Sequence, residues 1–115
     1  PVLIEQLKAM LGPWPVSGPA LAIGAQALND QEWAIQTRAR LKKDSAKLDK
    51  MMTAKGATVV GGTTLFRLYD VGDAAMWQDR LAQSHIWSRV FPYSSRWLRL
   101  GLPHPLDWAR LKDVL

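Results

Sequence analysis

The sequence predicts an α+β fold, a small mostly antiparallel sheet packed on helices. Three patterns carry that expectation. Trp33, Thr37, Leu41, Ser45, Leu48 and Met52 fall at intervals of three and four, which is one mostly apolar stripe on a long helix. Leu98, Leu100 and Leu102 alternate with Trp97, Arg99 and Gly101, and Ile86, Ser88 and Val90 alternate with Trp87, Arg89 and Phe91. That period of two belongs to strands with one face turned to a core. Glycines and prolines punctuate the chain between these stretches.

Taken in order, Val2 to Met10 reads as a short helix, broken by Gly12-Pro-Trp-Pro15. Ser17 is placed to cap the apolar, Ala- and Gly-rich helix from Pro19 to Leu28. Asn29-Asp-Gln-Glu32 has the spacing of a capping box and starts the long helix, which runs to about Lys55 and ends at Gly56. Thr58 to Val60 is a short strand, Gly61-Gly62 a turn, and Thr63 to Tyr69 a longer strand. Asp73 caps a helix carrying Trp77 and Leu81. The two arginine-bearing strands follow, around His85–Phe91 and Phe91–Pro103. Pro105 opens a last helix with Trp108, Leu111 and Leu115 on one face.

One hundred and fifteen residues suit one small domain, residues 1–115, and a 48% apolar content rules out a disordered chain. The absence of cysteine excludes disulfides and thiol chemistry and fits a cytoplasmic setting. No apolar run is long enough for a bilayer, and Pro1 with no initiator Met reads as the interior of a longer protein. The net charge of +5 permits a polyanionic partner, but the lysines from Lys42 to Lys55 are explained by a solvated helix face.

The chemistry is narrower. His85 and His104 have no ligand-like spacing, so no metal is expected. No nucleophile elbow or phosphate loop is present, and no carboxylate pair stands out for acid–base work. The features that remain are Arg89 and Arg99, each among aromatic residues on what read as neighbouring strands. A guanidinium grips carboxylate or phosphate with a flat fork of donors and stacks on aromatic rings. The plainer alternative is two surface arginines in ordinary salt bridges. Either way the chain has anion-binding features without a catalytic centre.

Three separated runs add a resemblance that covers essentially the whole chain. Gly12-Pro-Trp-Pro-Val-Ser-Gly-Pro-Ala-Leu21, Gly61-Gly-Thr-Thr-Leu-Phe-Arg-Leu68 and Trp97-Leu-Arg-Leu-Gly-Leu-Pro103 resemble, in order, the C-terminal part of the threonine-phosphate decarboxylases. These are pyridoxal-phosphate proteins of the cobalamin pathway with the aspartate-aminotransferase fold. The resemblance implies the C-terminal small domain of such an enzyme, with the large cofactor-binding domain absent from these residues. It implies decarboxylation of L-threonine O-3-phosphate, pyridoxal phosphate in the parent enzyme with none bound to this fragment, a homodimeric parent, and no nucleic-acid or membrane partner. Arg99 matches the final-strand arginine that grips the substrate's acidic end, and Arg89 a second arginine used for substrate phosphate, with the split between them open. Trp14 to Ser17 match a turn near the mouth of the site. No lysine here matches the Schiff-base lysine, so no catalytic residue is assigned and the fragment alone is expected to be inactive.

Two other readings stand beside it. An aminotransferase of the histidinol-phosphate type keeps the fold and changes the reaction. A nucleic-acid-binding module would stack bases on Trp87, Phe91 and Trp97, although the aromatic-glycine signature of the common RNA-binding sheet is missing.

Overall fold

The computed structural model describes residues 2–115 and divides into two compact units, one ending at Ile35 and one spanning Gln36–Leu115. Helices α1 (Val2–Leu11) and α2 (Gly18–Asn29) lie in the first unit. Helix α3 (Gln31–Thr53) begins there and continues into the second.

In the first unit neither α1 nor α2 has a buried residue. The apolar positions that make α1 a helix, from Val2 through Leu11, are exposed instead. Between the helices the chain turns through left-handed backbone at Gly12 (φ +70°) and Trp14 (φ +64°). Ser17 caps α2 as the sequence predicts, its hydroxyl accepting from Ala20 N at 3.4 Å. The cap of α3 is Asp30 rather than Asn29: its carboxylate accepts from Trp33 N at 2.9 Å. Asn29 is still the last helical residue of α2, so it lacks the non-helical backbone a cap requires, whereas Asp30 has it (φ −77°, ψ 82°).

The second unit holds the sheet. Its strands are β1 (Thr58–Gly62), β2 (Phe66–Asp70), β3 (Arg89–Phe91) and β4 (Ser94–Gly101), with α4 (Ala74–Gln83) between β2 and β3. A single 3-10 turn, Pro105–Asp107, leads into α5 (Trp108–Val114). The strand order is β1-β2-β4-β3 and every neighbouring pair is antiparallel. The connection from β2 through α4 to β3 therefore skips one place, and β4 fills it.

Leu98 and Leu100 of β4 and Tyr69 of β2 face the helices. They form one core with Leu48 and Met52 of α3, Trp77 and Leu81 of α4, and Leu111 and Leu115 at the end of the chain. The alternation of β4 read from the sequence is thus the alternation of core and open face. The predicted stripe of α3 is buried only over Ser45, Leu48 and Met52; Trp33, at 62% exposed, lies outside the core. The helix ends as expected at Gly56 (φ +88°), where Gly56 N donates to Thr53 O and Ala57 N to Met52 O, a paired closure of the last turn.

Two expectations need correction. Gly61-Gly62 is not the turn but the end of β1, with a bulge between Val59 and Gly61. The turn is the next three residues: Thr63 N donates to Phe66 O at 2.8 Å, and Thr63 Oγ1 accepts from Leu65 N and Phe66 N. Gly62 (φ +129°) has no room for a side chain, because a Cβ would collide with the carbonyl of Phe66. The first arginine strand is three residues rather than seven. His85 (φ +57°) and Ile86 are used to close α4, donating to Ala82 O and Leu81 O at 2.9 Å each, so the chain becomes extended only at Arg89. Among the described residues no helix is long and apolar enough to cross a membrane.

Candidate substrate-binding face

Arg89 and Arg99 are cross-strand partners in the β3–β4 ladder. Directly opposed residues project to the same side of a sheet, so the two guanidiniums share the face away from the core. Leu68 is the partner of Arg99 on the other side, and Phe66 pairs with Gly101, so both belong to that face too. Arg99 is half-buried and Arg89 exposed.

Each guanidinium lies against an aromatic ring. The carbon of the Arg99 guanidinium is 4.7 Å from the centre of the Phe66 ring, and that of Arg89 is 5.5 Å from Phe91. Phe91 contacts Tyr93 with ring centres 5.2 Å apart, and Tyr93 meets Trp97 edge-on at 6.3 Å. The face is therefore two cations on an aromatic floor.

The salt-bridge alternative does not hold. Among the described residues neither Arg89 nor Arg99 has an ion pair or a side-chain hydrogen bond, whereas Arg40, Arg67, Arg96 and Arg110 all pair with aspartates. Two neighbouring cations with free donors and no counter-charge are suited to an anion carrying more than one charge.

Arg67 shows the contrast within one strand. It lies on the helix-facing side of β2 and grips Asp49 of α3 with two hydrogen bonds of 2.9 and 2.7 Å, while Tyr69 donates its hydroxyl to the same carboxylate at 2.7 Å. Burial works to raise the Asp49 carboxyl, but the hydrogen bonds from Arg67 and Tyr69 and the charge of Arg67 outweigh it and hold it below its ordinary value. Burial first, and then the bond to Asp49, push the Tyr69 phenol far above its usual range. This cluster fastens the sheet to α3 and commits the Nε/Nη2 side of the Arg67 guanidinium to Asp49.

Trp14 and Ser17 belong to the other unit. Trp14 is 91% exposed, and the Ser17 hydroxyl is occupied in capping α2. Phe66 stands in the second motif, but the sequence assigns it no site role. Its place beside Arg99 follows from the pairing register of β2 with β4, and that register is not written in either strand alone.

A family model for class I and II aminotransferases matches residues 1–108. The chain belongs to that family. Two curated relatives of this aminotransferase-family chain are both named threonine-phosphate decarboxylase. One, from a Sinorhizobium species, is 42% identical over 106 residues, which is 91% of this chain and 31% of the relative. The other, from Pseudomonas aeruginosa, is 39% identical over 115 residues, 98% of this chain and 34% of the relative. The chain thus spans about a third of the length of the curated relatives it matches.

Proposed function

We propose that this chain is the substrate-binding small domain of a larger, cytoplasmic and homodimeric enzyme, a pyridoxal-phosphate-dependent decarboxylase of L-threonine O-3-phosphate in cobalamin biosynthesis. The observation that carries the proposal is the Arg89–Arg99 pair, two guanidiniums on one sheet face with no ion pair among the described residues. The names of the two relatives and the family match support the reaction class. A phosphorylated amino acid presents a carboxylate and a phosphate, and two forks can hold both. Holding both ends would fix the orientation of the substrate at its α-carbon. Arg99, half-buried, takes the acidic end; Arg89, exposed at the edge strand, takes the phosphate. Trp14 holds an unfavourable left-handed backbone and is exposed, which supports a substrate-binding role for the Trp14–Ser17 turn.

When bound to the full-length protein, pyridoxal phosphate would supply an electron sink for the reaction. The residues of this chain do not fit its site. All seven lysines, from Lys8 to Lys112, are exposed on helices or at a helix end, and none has the enclosed setting of a Schiff-base lysine. The residues described here are assigned binding and orientation only.

The match to aminotransferases favours a second reading, amino transfer on a phosphorylated substrate of the histidinol-phosphate type, with the same two arginines in the same roles. The test is to incubate the full-length protein, loaded with cofactor, with L-threonine O-3-phosphate. Carbon dioxide release with formation of the aminopropanol phosphate supports the decarboxylase; transfer of the amino group to a keto acid without carbon dioxide overturns it.

A further inference from the structure

Resting on the arginine assignment just made, we propose that Phe66 is a positioning residue that sets the plane of the Arg99 guanidinium while leaving its donors free for substrate. Phe66 begins β2 and is the ladder partner of Gly101, two residues beyond Arg99 on β4. Gly101 has no side chain, and a Cβ built there would lie 3.7 Å from the Phe66 ring. The ring thus covers the glycine and occupies the space beside it. From there it reaches along β4 until its centre is 4.7 Å from the Arg99 guanidinium carbon.

Core packing does not account for this ring, which is 48% exposed. Its backbone, in contrast, is held closely. The Thr63 hydroxyl accepts from Phe66 N, the Phe66 carbonyl accepts from Thr63 N, and Gly62 lets the chain pass where no side chain fits. A ring fixed at its root holds a cation through the negative electrostatic potential of its π face. A carboxylate partner would hold Arg99 more firmly but would consume the N–H groups that the substrate needs. The aromatic face holds the guanidinium and uses none of them.

The experiment compares Phe66→Leu and Phe66→Tyr in the full-length, cofactor-loaded enzyme, each alone and with Arg99→Lys. Leucine fills the space without the electron-rich π face, and tyrosine keeps it. Phe66→Leu is expected to raise KM for threonine phosphate about fivefold, which is about 1 kcal/mol. Its kcat and melting temperature should stay close to wild type. Phe66→Tyr should retain the wild-type KM. With Arg99→Lys, a point charge with no fork to orient, Phe66→Leu should add little. A wild-type KM in Phe66→Leu overturns the proposal, as does the same fivefold loss persisting with Arg99→Lys, or a failure of tyrosine to restore KM. If Arg99→Lys alone leaves kcat/KM unchanged, the arginine assignment fails as well, whereas an impaired Arg99→Lys with a silent Phe66→Leu removes only the role of Phe66.

Discussion

Arg99 and Arg89 differ in setting although they are partners. Arg99 lies in the wider part of the sheet with Leu68 on one side, and Arg89 on an edge strand of three residues. Their substitutions should therefore separate. In the full-length enzyme Arg99→Lys keeps the charge and loses the two-pronged grip, with an expected loss of about 2 kcal/mol in kcat/KM for a charged hydrogen-bonded contact. Arg89→Ala should weaken phosphorylated substrates far more than unphosphorylated ones, read from the ratio of their kcat/KM values. A different residue tests the packing. Ser88 is 3% exposed and its hydroxyl has no hydrogen-bond partner in the protein among the described residues. Ser88→Ala removes that unmet group, and urea unfolding should show a gain on the order of 1 kcal/mol.

At the scale of elements, the join between α3 and the sheet is electrostatic as well as apolar. Asp49 has a lowered carboxyl pKa in the folded protein, so its contribution to stability is full above the unfolded value near 4 and is lost as pH falls through the folded value. Stability measured by urea unfolding should drop below about pH 4, and Asp49→Asn should lower stability at neutral pH while flattening that acid limb. The hairpin of β1 and β2 has its own weak point. Gly62→Ala places a Cβ against the Phe66 carbonyl at a backbone angle unsuited to an L residue, and a loss of about 2 kcal/mol is expected in thermal or urea unfolding.

The same elements show what the sequence discloses. Alternation in β4 predicts which residues face the core because Leu98 and Leu100 obey one rule, the pleat. The caps at Ser17 and Asp73 are equally plain, each a short polar side chain before an apolar helix. The extent of β3 is hidden because a histidine, not a glycine, takes the left-handed position that closes α4, so no breaker marks the end. The bulge in β1 is hidden because two adjacent glycines read as a turn, while the true turn is made by the Thr63 hydroxyl. At the candidate face, the aromatic company of the two arginines is legible in the sequence. The partnership of Arg99 with Phe66 depends on strands about 30 residues apart coming into register, which no local pattern states.

At the scale of the whole chain, the two units differ in how they meet water. The second has a core that draws on three helices and the sheet. The first has no buried residue in α1 or α2 and leaves Val2, Leu3, Ile4 and Trp14 exposed. Apolar surface of this kind calls for cover. Expressed by itself, this chain should associate with itself in sedimentation or light scattering, and replacing Val2 and Ile4 by lysine should shift it toward monomer. A wild-type chain that stays monomeric at high concentration would count against the expectation.

The strand order carries a consequence for how the protein is made. The strand joined to neighbours on both its edges is β2 for the early part of the sheet and β4 for the rest, and β4 is the last strand to be synthesised. Until residue 101 has left the ribosome, only the β1–β2 hairpin has its hydrogen-bonding partner; β3 waits with none. The two arginines become neighbours at the same moment that the sheet is completed. A nascent chain halted before Ser94 would hold Arg89 and Phe66 but not Arg99, so the paired-arginine face forms only once β4 has been made.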